Sequence, residues 1–288
     1  DFSAAGINLV DNPNFTDTTD ITIANYNFAT GDMTGWSSGS SGDGVTPYVV
    51  ADGLNYGALL SNGALKGNTY IQQTNKFVLD VSYKVSYRIV SNANTNQLKL
   101  ENYATLNSDV GTHELYIVGN GTQTALTINR LYQANTSIVI TDIVVKELGA
   151  DWTELNATNT FGEHGLTMTS TEAADVRIRT NGGIVADSTS YKVTYTINDV
   201  DLTGTNAIQY YTGSALNAYD DLPEQGIGTH TFYYTTPSTI TSTFWFFRLD
   251  LRGGSTSTTD FVTISSISVQ ELGEGWTLGT GWSIGEDK

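Results

Sequence analysis

A duplication constrains this chain more than any other feature. The segment SYKVSYRI at 82–89 recurs as SYKVTYTI at 190–197, VGTHELYI at 110–117 as IGTHTFYY at 227–234, and ITDIVVKELG at 140–149 as ISSISVQELG at 264–273. The offsets are 108, 117 and 124 residues, so the anchors keep their order while the second copy gains residues between them. Loops tolerate such insertions, and chance similarity has no reason to preserve order. Whatever the fold is, it is built twice. A fourth pair, Trp152 in ADWTEL and Trp276 in EGWTLG, again lies 124 residues apart, so residues 274–288 read as the opening of a third copy, too short to form a module, or as a C-terminal tail.

The repeated segments have the period of strands. Tyr83, Val85, Tyr87 and Ile89 alternate with Ser82, Lys84, Ser86 and Arg88, and Tyr191, Val193, Tyr195 and Ile197 do the same in the second copy. Alternation of this kind places one side of a strand in a core and the other toward water. Charged residues make up 15% of the chain, well below the roughly 25% of ordinary domains. Surface polarity therefore falls to Thr, Ser, Asn and Gly, the residues of short strands and turns, and nothing supplies the Ala, Leu, Glu and Lys of long helices. Many short strands without crossover helices predict an all-β chain of two tandem antiparallel jelly-roll β-sandwich domains. The expected divisions are an N-terminal arm or added strand over 1–24, a first module over 25–149, a second over 150–273, and the terminal 274–288.

The same composition excludes several functions. A formal charge of −17 repels phosphate and anionic lipid headgroups, so nucleic acid is not an expected partner. No run of about 18 apolar residues suggests a membrane-spanning helix, and the chain begins DFSAAGINLV, which does not read as a signal peptide. Cysteine is absent, which removes disulfides and thiolate metal sites.

NFATGDMTGW at 27–36, a Tyr-rich strand, a Gly-Thr-His strand and the closing ITDIVVKEL follow one another in an order that resembles jelly-roll carbohydrate-binding modules of the cellulose- and xylan-binding type. The resemblance covers about 26–149, and 150–273 more weakly. The style of the joints also resembles tandem modules of marine bacteriophage virion proteins (tail, fibre and capsid decoration). The first resemblance implies glycan binding and a structural calcium held by a carboxylate after the opening Phe and another in the last strand. Here those places hold Ala29, Thr141–Asp142 and Ser265–Ser266. A hard cation needs several oxygen ligands, so no cofactor is expected at the family site. Asp142, and the acidic loop with Asp220, Asp221 and Glu224, are the remaining places where calcium could bind.

Catalytic patterns are missing. There is no Gly-x-Ser-x-Gly elbow, His-Glu-x-x-His helix or phosphate-cradling loop. His113 and His230 occupy equivalent strand positions, as a structural residue does, and His164 stands alone in a turn. Aromatic rings that stack on sugar C–H faces, flanked by groups that bond hydroxyls, are the expected ligand contacts. In the second module Phe244, Phe246, Arg248 and Asp250 share the side of their strand opposite Trp245, Phe247 and Leu249, with Tyr211 beside them. In the first, Trp36, Tyr48 and Tyr56 are expected in loops, where Gly and Asn neighbours leave the rings accessible. The expected function is that of a non-enzymatic virion-surface structural protein, or another extracellular one, contacting glycans. It would assemble as a homo-oligomer and with other virion or surface proteins. The alternative is a polysaccharide-binding module pair of a secreted bacterial enzyme or adhesin.

Overall fold

The computed structural model describes residues 7–11, 14–15, 18–52, 55–93, 97–130, 134–155, 159–170, 175–213, 218–252 and 257–273. The opening of the third copy therefore lies outside the described residues. Among the described residues the chain is all-β, with antiparallel strands and no helix. It divides into two compact units, Thr18–Leu148 and a second that joins Asp1–Asp17 to Gly149–Lys288.

The first unit contains β1 (Thr18–Ile21), β2 (Ser37–Asp52), β3 (Asn55–Gln73), β4 (Ser82–Ala93), β5 (Leu98–Leu100), β6 (Ala104–Leu106), β7 (Gly111–Val118), β8 (Leu126–Arg130) and β9 (Ser137–Leu148). The second contains β10 (Trp152–Leu155), β11 (Asn159–Gly162), β12 (Gly165–Thr169), β13 (Val176–Thr180), β14 (Ser190–Asp201), β15 (Ala207–Tyr211), β16 (Tyr219–Asp221), β17 (Gly228–Thr235), β18 (Phe246–Asp250) and β19 (Phe261–Glu271).

In the second unit two sheets run β11-β12-β19-β14-β17 and β10-β13-β18-β15-β16. Numbered from β12, the eight successive strands fall in the orders 1-8-3-6 and 2-7-4-5, the jelly-roll wind of two interlocked Greek keys. The first unit has the same wind with the first two strands fused. Residues 58–61 of β3 pair with β9, while 69–73 of the same strand pair with β8, so β3 passes from one sheet to the other. Its partner β2 follows it on both sides of the passage, with register shifts between Gly42 and Gly44 and between Val45 and Tyr48. At the passage the two backbones approach so closely that a Cβ on Gly67 would stand 2.2 Å from the Gly44 nitrogen.

The alternation read from the sequence sets the cores. Tyr83, Val85, Tyr87 and Ile89, with Tyr191, Val193, Tyr195 and Ile197, are each at most 2% exposed. Their hydroxyls are satisfied in the same way in both copies. Tyr83 accepts from the Val78 amide at 2.9 Å and Tyr191 from the Ala186 amide at 2.8 Å, while Tyr87 and Tyr195 donate to the carbonyls of Asn107 and Glu224. Burial pushes the Tyr87 and Tyr195 phenols up to about 12. The two histidines are matched as well. His113 Nε2 bonds the Asp109 carbonyl at 2.7 Å and His230 Nε2 the Gly226 carbonyl at 2.8 Å, each ring lying against the tyrosine opposite.

The expected N-terminal arm is divided between the units. Thr18–Ile21 is an added strand beside β9, pairing with Val145–Leu148. Residues before it belong to the second unit, where Asn8 bridges Gln270 of β19 and Phe15 is fully buried against Trp152.

Candidate functional site

The same sheet in the two units, β8 with its neighbours in one and β18 with its neighbours in the other, presents two different outer faces. In the first unit β3 alternates Thr69, Ile71 and Gln73 into the interior with Asn68, Tyr70 and Gln72 outward. Adjacent β8 turns Leu126 and Ile128 inward and Thr127 and Asn129 outward. Glu101, beyond the end of β5, and Gln123, ahead of β8, complete a groove of about 370 Å³ lined by Asn68, Tyr70, Gln72, Glu101, Gln123, Thr127 and Asn129.

The groove is prearranged by its own bonds. Gln72 Nε2 and Gln123 Nε2 both donate to Thr127 Oγ at 2.9 Å. Asn129 Nδ2 donates to Glu101 Oε2, which also takes an ion pair from Lys99 at 3.1 Å. Tyr70 leans over Gly39 on β2, where a Cβ would come within 2.7 Å of the ring. A lone aromatic ring bordered by three amides of fixed direction, one carboxylate and a hydroxyl can stack on one sugar and bond the hydroxyls of its neighbours. Clusters of rings in the sequence do not point to these residues, since only Tyr70 among them is aromatic. The signal was two strands whose outward positions carry amides, Asn-x-Tyr-x-Gln and Thr-x-Asn.

In the second unit the expected aromatic and charged residues do meet on one face. Trp245, Phe247 and Leu249 are fully buried, and Phe246, Arg248 and Asp250 point the other way beside Tyr211. That face is not the open platform expected. Phe246 is 9% exposed and Tyr211 4%, with Tyr219 of β16 packed over both, and Asp250 is 8% exposed between Arg248 and Arg252. The Arg177 and Arg248 guanidinium carbons stand 5.5 and 4.9 Å from the Tyr219 ring, and Arg179 stacks on Phe244 at 4.3 Å.

Arg177 and Arg248 face each other across the strand pair, an unfavourable arrangement of like charges. Asp175 resolves it by accepting from Arg248 at 2.7 Å and from Arg177 at 3.3 Å. The chain of charges continues from Arg248 to Asp250 at 2.6 Å, from Asp250 to Arg252 at 2.6 Å, and from Arg252 to Asp221. The Arg252 hydrogen bonds hold the Asp221 carboxyl below its usual range, and burial of the Tyr219 phenol raises its own pKa. Three of the six arginines in the chain are spent on this lattice, and a fourth, Arg179, is held on Phe244. A ligand would have to break pairs already made.

The remaining expected site residues are dispersed. Trp36 is 7% exposed, stacked on Phe28 with its indole N–H donated to the Asn25 carbonyl, so it is core. Tyr48 (51% exposed) and Tyr56 (38%) are accessible. They lie opposite Leu59 and Ala51 in an unbroken register three positions apart, which turns their rings to opposite faces of the hairpin. Asp142 is in an ion pair with Arg88 at 2.8 Å. Asp220 and Glu224 are exposed, while Asp221 is engaged by Arg252 and Gln209. Among the described residues no three His, Asp or Glu side chains converge as a metal site would require.

No family model matches the chain, and no curated protein matches it. Solved structures similar to it include a Paenibacillus xanthan lyase (TM-score 0.34, 13% identity, 85% of this chain and 27% of that one). An archaeal virus protein with a triple jelly-roll fold and turret assembly gives 0.23 and 12%, over 81% of this chain and 60% of the other. A β-porphyranase of Bacteroides plebeius gives 0.20 and 11%, over 79% and 36%. This chain thus spans less than two thirds of each. Likenesses at these scores carry no argument, and the fold rests on the strand order.

Proposed function

We propose that the chain is a non-catalytic glycan-binding structural protein of a virion or cell surface, with its ligand site in the first module alone. The observation that supports this reading is the groove around Tyr70, whose amides and carboxylate are held in place by Thr127, Asn129 and Lys99. Lining that is polar, uncharged but for Glu101, and furnished with one ring suits a neutral polysaccharide. Glu101 is the groove's one carboxylate. A glycosidase works with two opposed carboxyls, which favours retention over hydrolysis. Calcium has no part in this reading.

The test is affinity electrophoresis of the full chain against neutral and acidic polysaccharides, with calcium and with chelator. Neutral polysaccharide should retard the chain equally in both. Tyr70→Ala should weaken retardation at least tenfold, the loss of about 1.4 kcal/mol or more expected for a central aromatic contact, with the thermal melt nearly unchanged. Retardation that survives Tyr70→Ala and Gln72→Ala together would move the site elsewhere, and none on any polysaccharide would leave only the structural role.

A further inference from the structure

The chain begins with two copies of one short motif, Asn12-Pro13-Asn14-Phe15 and Asn25-Tyr26-Asn27-Phe28, set 13 residues apart. They do equivalent work in different modules. Phe28 is fully buried, has a left-handed backbone (φ 54°), and stacks on Trp36 with centroids 5.6 Å apart. Phe15 is fully buried, has φ 56°, and lies 5.1 Å from Trp152. Ahead of each Phe, the chain runs beside the closing strand at equivalent places. Asp20 and Ile21 pair with Lys146 and Val145. Asn8 bridges Gln270, and the Leu9 amide donates to the Val269 carbonyl at 2.8 Å. Val269 and Gln270 are Val145 and Lys146 displaced by the repeat offset of 124.

The reason lies in the spacing. Seven residues separate Phe28 from Trp36, enough to bring the ring back onto the indole. In the second module only Gly149, Ala150 and Asp151 lie between the end of β9 and Trp152. That stretch is too short to hold an opening segment of its own, so the second module takes one from the start of the chain. Phe15 fills the slot formed by Trp152 and Phe161, where a Cβ on Gly149 would stand 2.2 Å from the Phe161 ring.

We propose that the segment carrying Asn8, Leu9 and Phe15 is a separable plug, and that the slot of the second module accepts this plug from a second copy of the chain. Contacts inside the slot are the same whichever copy supplies the Phe, so exchange costs only the association entropy. Beside β19, among the described residues, the hold within one chain is the Leu9 bond and the Val269 amide donating to Asn8 Oδ1 at 3.0 Å. Trp36 donates its indole N–H to Asn25, but the buried Trp152 N–H has no partner among the described residues. Only Thr16 and Asp17 join Phe15 to β1, and short connections of this kind favour exchange between copies. Linked in this way, copies would assemble through the plug, independently of the groove around Tyr70.

Complementation of full-length chains tests the exchange. Phe15→Ala leaves a sound slot with a poor plug, and Trp152→Ala leaves a sound plug with a poor slot. Refolded together, the two should give a one-to-one heterodimer by native mass spectrometry, at least tenfold above the dimer formed by either alone. Wild-type chains of two isotopic masses provide the arm that needs no variant. Refolded together at rising concentration, they should give mixed-mass dimers, which Phe15→Ala abolishes. Monomer alone in the wild-type arm, or dimers that persist with Phe15→Ala in both chains, would overturn the proposal.

Discussion

The two modules share a wind, a set of buried tyrosines and a matched histidine, yet their equivalent outer faces have gone opposite ways. In the first, amides on β3 and β8 bond one another lightly and leave a groove. In the second, three arginines, three aspartates and a tyrosine lid are joined across the sheet into a continuous lattice. The contrast shows how the same architecture can serve either recognition or rigidity. Neutral amides can be partly satisfied and still bond a ligand, whereas a charge buried at a sheet face must be paired or it destabilises the module.

The largest expected effect separating the modules is in alkali. Tyr87 and Tyr195, pushed up to about 12 by burial, are a matched pair, and Tyr83 and Tyr191 are raised in the same direction. The second module adds Tyr210, also pushed up by burial to about 12, and Tyr234, raised further by burial, with no first-module counterparts among the matched anchors. A folded state that keeps its phenolic proton loses stability as the unfolded chain begins to release it. The contribution is therefore intact below pH 10 and disappears between about 10 and 12. At about 3 kcal/mol for each tyrosine shifted to about 12, the second module should lose more than the first, in which Tyr103 is the one further phenol raised by burial among the described residues. Hydrogen exchange across that range should show β14, β15 and β17 deprotecting before β4 and β7. Simultaneous loss would break the asymmetry.

The next effect probes the lattice directly. Arg248→Ala breaks the network at its centre, leaving Asp175 to Arg177 alone and Asp250 to Arg252 alone on a closed face. Removing one partner of a buried pair should cost the second module about 3 kcal/mol. On the equivalent face of the first module, Asn129→Ala removes one hydrogen bond and should cost about 1 kcal/mol while weakening glycan retention. Urea unfolding of both variants measures the difference. Equal losses would mean that the lattice is as lightly held as the groove. Acid adds a smaller asymmetry. Burial raises Asp260, but hydrogen bonds from Asn206, Ser257 and Thr203 outweigh it and hold the carboxyl at about 2. Its contribution is present above about 4 and is lost as pH falls toward 2, from the second module only, since Thr136 stands at the place in the first that the repeat offset gives.

Much of this was legible in the sequence. Period-two alternation placed Trp245, Phe247 and Leu249 inward and Phe246, Arg248 and Asp250 together on the other side, because strand geometry alone decides parity. Whether that side was open depended on Tyr219, which arrives from a different strand, and on Asp175, which lies outside any strand. No spacing rule connects either to Arg248. The groove around Tyr70 draws on β3, β8 and the residues flanking β5 and β8, so its convergence is a property of the wind and not of any one segment. The division of the arm between modules was legible in principle from the repeated Asn-x-Asn-Phe, but which module each copy serves is set by the shortness of the 149–151 connection.

The smallest effect is the one that bears most directly on why the two faces differ. Tyr219 contributes packing over Phe246 and Tyr211 and cation–π contact with Arg177 and Arg248. Its loss leaves every Arg–Asp pair in place. Tyr219→Ala should therefore lower the second module's stability by only about 1 kcal/mol, the scale of such ring contacts. If pairing closes this face, removing the lid creates no site, and the variant should be retained on acidic polysaccharides no better than the parent chain. If the lid alone closes it, the uncovered guanidinium groups should bind carboxylate- or sulfate-bearing chains, with retention that falls as salt rises. Retention of that kind would make the second module a masked counterpart of the first. Its absence would show that exchanging amides for paired charges, and not the added ring, removed the ligand site.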